Sequence, residues 1–189
     1  PKDDTEIFSP QELVERFSLE AVNHSAAKFD ITKCLWVNQQ HIIALPPEEF
    51  AAKARPFCLQ AGLPDSGILN EAIATVQTKV QTLAEVPDKI RFFFHLSMDP
   101  EALAKVQPVA VELLSKLADR LEREPVWDGH ELIGVLKAFA KENGVKMGAV
   151  MFPARVALTG LSGGPDLSAV FSLLGKEESL KRIRAFSLN

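Results

Sequence analysis

Asp128-Gly129-His130-Glu131-Leu132-Ile133-Gly134-Val135-Leu136-Lys137-Ala138-Phe139-Ala140-Lys141-Glu142-Asn143-Gly144 reads as one complete helix with both ends marked. Leu132, Val135, Leu136, Phe139 and Ala140 recur at i, i+3, i+4, i+7 and i+8, the interval that lines one side of a 3.6-residue spiral. Asp128 offers an acceptor to the open N–H groups of the first turn, and Glu131, three residues on, completes the pattern of a capping box. At the far end Asn143-Gly144 supplies residues that tolerate left-handed backbone. The neighbouring segments follow the same grammar.

Downstream, Met147, Val150, Met151, Ala154 and Leu158 spell a second buried side. Leu167, Val170, Phe171 and Leu174 spell a third, after a Pro165-Asp166 start that suits a first turn. Gly175 is expected to end that helix. Leu180, Ile183 and Phe186 then suit a last one, whose opposite side, with Lys181, Arg182 and Arg184, is predicted to form a basic face. Upstream, helices are predicted over Pro10 to Phe17, Ile31 to Ile43, Pro47 to Gln60, Ile68 to Val80, Pro87 to Phe94, and Glu101 to Leu121 with a break at Pro108. Pro56 should kink or split its segment, because it lacks an N–H and crowds the carbonyl four residues back. Ile90 to Leu96 is apolar enough for a short strand, yet no alternating run exists to pair with it, so helix is preferred. The expected fold is all-α, with two helical subdomains over residues 1–124 and 125–189, divided near the charged, proline-containing stretch at Glu124-Pro125.

Composition bounds the function. Of 189 residues, 47% are hydrophobic and 24% charged, enough for a real core and too apolar for intrinsic disorder. No run approaches the roughly 18 to 20 apolar residues of a membrane helix, and no signal peptide is apparent, so a soluble cytoplasmic chain without a membrane partner is expected. Pro1 in place of Met suggests processing or a piece of something longer. Cys34 and Cys58 carry no metal or redox spacing and are read as reduced, mostly buried thiols. The net charge is −4, but residues 144–189 hold six cations against three anions, while the first 143 residues sum to −7. Tight, indiscriminate nucleic-acid binding normally needs a broad basic footprint, so this distribution argues against it and leaves room for a restricted patch.

Catalytic signatures are absent: there is no phosphate loop, nucleophile elbow, HExxH or dinucleotide fingerprint. His24, His41, His95 and His130 sit at unrelated spacings and read as surface or capping residues, and Trp36 and Phe92 to Phe94 read as core. Thr159-Gly160-Leu161-Ser162-Gly163-Gly164-Pro165 is glycine-rich and opens a helix, so it reads as a plain turn or as a recognition loop whose N–H groups meet an anion or a base edge, and a nucleotide pocket is disfavoured because the lysine a triphosphate site wants is missing. Arg155 stands at the margin of an apolar stripe. It either snorkels past the core to water or is held in a fixed direction, offering a planar fork to a base.

Two stretches carry a family resemblance. Lys28-Phe29-Asp30-Ile31-Thr32-Lys33-Cys34-Leu35-Trp36-Val37-Asn38 resembles the FDxxKLxWxN segment of bacterial-type glutamyl-tRNA synthetases. Gly144-Val145-Lys146-Met147-Gly148 with Pro153-Ala154-Arg155-Val156-Ala157-Leu158-Thr159-Gly160 resembles their GxKxGxxxxPxRxALTG segment. Gly164-Pro165-Asp166-Leu167 and Leu173-Leu174-Gly175-Lys176-Glu177 extend the likeness in the same order. The resemblance implies the C-terminal, anticodon-binding part of such an enzyme. Its partner would be tRNA(Glu) and not DNA, and it would act as a monomer with no cofactor of its own. ATP with Mg would belong to an upstream catalytic domain whose motifs do not occur here. It further implies anticodon contacts at Arg155, at Gly164, Pro165 and Leu167 lining the same pocket, and at Lys79, which aligns with an arginine that in some members reads the third base. Lysine keeps that charge but loses the two-pronged planar donor. Gly164 stands where some members bear threonine, leaving only backbone groups to donate. The contrasting expectation is a helical protein-interaction scaffold, with the C-terminal basic face docking an acidic partner.

Overall fold

A computed structural model of the chain describes residues 6–21 and 28–187. Ten helices follow one another among them, and no strand occurs: α1 (Pro10–Arg16), α2 (Ile31–Ala44), α3 (Pro47–Gln60), α4 (Leu69–Ala74), α5 (Val86–Ile90), α6 (Pro100–Ala104), α7 (Val109–Glu122), α8 (Gly129–Glu142), α9 (Gly148–Thr159) and α10 (Leu167–Ser187). The all-α expectation holds. Asp128 accepts from the N–H groups of His130 and Glu131, as the sequence requires, and Asp30 does the same for Thr32 and Lys33 at the start of α2. Gly175, at φ 72° and ψ 175°, breaks α10 into two helical pieces where the sequence predicted a stop.

Between residues 68 and 94 the helices are shorter than predicted. α4 gives way to a 3-10 turn at Gln77–Lys79, and α5 to another at Arg91–Phe93. Short pieces bury their apolar residues without keeping one period, so Ile73, Val76, Val80, Val86, Ile90, Phe92 and Phe93 all enter the core although no single helix aligns them. Pro56 lies inside α3, which runs on past it unsplit; Phe50, Ala51, Ala54 and Cys58 on either side stay buried and hold the helix together.

The core is continuous. α3 packs on α4 and α5, and α10 packs on α7, α8 and α9. α7 precedes Glu124-Pro125 in the chain, yet its extensive neighbour is α10, which follows it. Leu180, Ile183 and Phe186 are buried, so their stripe serves the core.

The predicted basic face does not form. Arg182 is only 6% exposed: its Nη1 donates to the carbonyls of Phe92 (2.8 Å) and Leu158 (2.7 Å) and its Nε to Glu178 (2.7 Å). Arg184 is forked onto Glu122 of α7 and also approaches Asp119, Lys181 pairs with Glu178, and Lys176 donates to the Glu124 carbonyl. A helix that packs along α7 meets that helix's acids, and the four cations between residues 176 and 184 are consumed locally. The scaffold reading loses its docking face. The thiols also divide: both are free, but Cys58 is buried and Cys34 exposed. His41, His95 and His130 are exposed as expected, whereas His24 lies outside the described residues.

Candidate nucleic-acid interface

Arg155 sits on α9 with its side chain half-buried, and its Nη1 donates to the Pro165 carbonyl at 2.7 Å. That bond fixes the plane of the guanidinium and uses one arm of the fork. Burial draws the Arg155 pKa down from its ordinary value while Asp166 pushes it back up, and the group stays charged at neutral pH.

The segment that bears Pro165 is itself anchored. The Thr159 hydroxyl donates to the Arg155 carbonyl (2.8 Å) and accepts from the Leu161 N–H (3.1 Å), so one buried side chain closes α9 and starts the loop. Gly160 caps α9 at φ 73°, and its carbonyl accepts from the Asp99 N–H at 2.9 Å. A Cβ on Gly160 would lie 1.9 Å from the Ser97 carbonyl oxygen, so no other residue fits there without displacing backbone. Gly164 is at φ +135°, a region L side chains rarely adopt, but a Cβ there would meet nothing within 4 Å. Its requirement is conformational rather than spatial. Pro165 and Leu167 are buried, Leu167 to 3% exposure, so what this turn presents outward is mainly backbone.

Lys79 arrives from a different part of the chain. It ends the 3-10 turn at Gln77–Lys79, which α2 grips from below: buried Gln77 donates to the carbonyls of Ile42 (2.9 Å) and Leu45 (2.8 Å), and Asn38 donates to that of Gln81 (2.5 Å). From there Lys79 reaches Asp166, Nζ to Oδ1 3.7 Å. The structure therefore brings Lys79, Arg155 and the Gly164–Asp166 turn into one corner.

Three contributors were missed in the sequence. Asn38 lies within the quoted 28–38 segment, but no pattern links it to residue 81. Gln77 stands among Thr75, Thr78, Lys79 and Gln81, so nothing in the sequence singles it out as buried. Asp166 is legible in the sequence as a helix-start acid within the Gly164–Leu167 stretch, but not as the neighbour of Lys79. Among the described residues no group of three or more His, Cys, Asp or Glu can hold a metal, and no helix is long and apolar enough to cross a membrane. A cleft of about 670 Å³ lined by Val106, Leu113, Val145 and Phe152 shares no residue with the Lys79–Arg155–Asp166 corner.

In this all-helical chain two cations and a glycine-proline turn converge on one corner, and a family model described as an anticodon binding domain matches residues 49–187. The chain belongs to the anticodon-binding domain family. Within that family its likeness is to glutamate–tRNA ligases: it is 86% identical over all 189 residues to the one from Akkermansia muciniphila and 37% identical over 186 residues to that of Geobacter sulfurreducens. It spans 44% and 40% of the lengths of those two proteins. A crystal structure of a glutamate tRNA ligase from Elizabethkingia meningosepticum superposes with TM-score 0.84 at 25% identity, covering all of this chain and 38% of that one.

Proposed function

We propose that this chain is the anticodon-reading part of a glutamate–tRNA ligase and that it recognises tRNA(Glu). The observation that carries the reading is the convergence of Lys79 and Arg155 beside the Gly164–Pro165 turn. Sequence in RNA is read most readily in single-stranded loops, where bases are splayed and their pairing edges exposed. Arg155, with one arm bound to the Pro165 carbonyl, keeps further donors of its planar fork for a base edge. Lys79, its side chain 41% exposed, adds an ammonium group whose three donors lack the planar fork of an arginine. Backbone groups around Gly164 complete the wall, and Pro165 and Leu167 hold that wall from within.

In the whole enzyme, ATP and Mg would act in the upstream catalytic part, and anticodon binding here would favour productive placement of the acceptor end there, a coupling between two sites. Residues 125–189 would carry the principal base contact and residues 1–124 the lysine that completes it. The protein would work as a cytoplasmic monomer, on tRNA and not on DNA.

A filter-binding titration tests this directly. The chain should retain tRNA(Glu) in preference to the same tRNA with a scrambled anticodon, and equal retention of both, or none at low salt, would remove the proposal.

A further inference from the structure

Asp30, Asp99 and Asp128 each precede a helix and accept hydrogen bonds from its first turn. Asp166 precedes α10 in the same way, but among the described residues its carboxylate caps nothing. It is 79% exposed and points to Lys79 at 3.7 Å. An exposed ion pair of that length contributes little to a fold. In a corner built to hold RNA, a carboxylate also lowers the attraction for every phosphate that approaches. Capping and packing do not explain it, and beyond a helix-start charge of modest worth what it faces is the pair of cations Lys79 and Arg155.

We propose that Asp166 is a specificity-determining residue: its carboxylate, beside Lys79 and close to Arg155, cancels positive charge that would otherwise grip RNA of any sequence. This rests on the anticodon reading above. The physical distinction is between ligands. A phosphate reaching for Lys79 must displace or face the Asp166 charge, whereas a neutral base edge does not suffer that repulsion and can donate an amino or imino hydrogen to it. Phosphate contacts carry no sequence information, so a device that penalises them selectively raises discrimination.

The test uses the chain with two hairpins, one bearing the glutamate anticodon and one the same nucleotides scrambled in the loop, titrated over a salt series. D166N should tighten the scrambled hairpin about three- to tenfold at low salt and leave the glutamate hairpin within about twofold. For the scrambled hairpin, log K against log salt should steepen by about 0.7, the value for one added phosphate contact on a single strand. D166E should behave as wild type, and K79M should abolish most of the D166N effect. If wild type discriminates while D166N leaves the scrambled hairpin unchanged, or weakens both, the role of Asp166 is wrong and the anticodon reading stands. Failure of wild type to discriminate removes the reading and this inference with it. A melting temperature lowered in D166N but not in D166E would assign the carboxylate to the fold and overturn the proposal.

Discussion

Two arginines bracket the end of α9, and they are held in opposite ways. Arg182 comes from α10, is buried, and is surrounded by protein acceptors on three sides: the carbonyls of Phe92 and Leu158 and the carboxylate of Glu178. Arg155 is half-buried and oriented by one carbonyl, that of Pro165. The first is an internal tie, joining the Arg91–Phe93 turn to the end of α9; the second has its direction set and donors left over. An arginine serves a ligand when the fold fixes its plane without exhausting its hydrogens, and it serves the fold when every acceptor it can reach is already protein.

The sharpest way to break this contrast is at Gly160, between the two. Gly160→Ala must accept a left-handed backbone and push a methyl into the Ser97 carbonyl, so it should lose about 2–5 kcal/mol of stability in a denaturant titration. A loss below about 1 kcal/mol would show that the Ser97 segment yields freely and that the junction is not rigid. Arg182→Met should cost about 3 kcal/mol, because two buried carbonyls lose their donor. The protein that remains folded should keep its preference among anticodons.

Arg155→Ala should show the reverse profile. Stability should change by about 1 kcal/mol or less, the worth of one hydrogen bond, while binding of the glutamate anticodon hairpin weakens by about 1–3 kcal/mol and binding of a scrambled hairpin hardly changes. An equal loss for both hairpins would make Arg155 a phosphate contact. The smallest effect concerns Glu178, whose carboxyl is held below its ordinary value of 4.5 chiefly by the hydrogen bond from Arg182. The unfolded chain takes up a proton that the folded one refuses. The Glu178 contribution is therefore complete above about pH 4.5 and fades as the pH falls through the lower folded value. Glu178→Gln should flatten the acid limb of a melting-temperature profile slightly, and an unchanged limb would mean that the Arg182–Glu178 bond is not maintained in solution.

Much of the helical layout was legible because its signals are local. Asp128, the Leu132–Ala140 stripe, Pro108 and Gly175 act within a turn or two of themselves, and each mark appears in the structure where the sequence put it. The region from 68 to 94 resisted, since short helices and 3-10 turns bury residues without a sustained period. Arg182 departs from its predicted surface position for a related reason. On a helical wheel it belongs to a polar side, but the carbonyls of Phe92 and Leu158 that receive it lie on segments remote in the chain. Of the corner itself, Arg155 and its glycine-proline turn were visible as residue types; that Lys79 meets Asp166 was not.

By itself the sequence determined which segments coil into helices, where they stop, and which side of most of them is apolar, because capping, proline placement and period act through near neighbours and backbone geometry. Only the tertiary structure decided which charges survive. α7 brings Glu122 and Asp119 against Arg184, carbonyls and Glu178 absorb Arg182, a carbonyl absorbs Lys176, and the α2 grip on the Lys79 turn sets Lys79 beside Asp166 in the corner that holds Arg155. Electrostatic energy depends on distance through space and on burial, and neither is written in the spacing of residues along a chain.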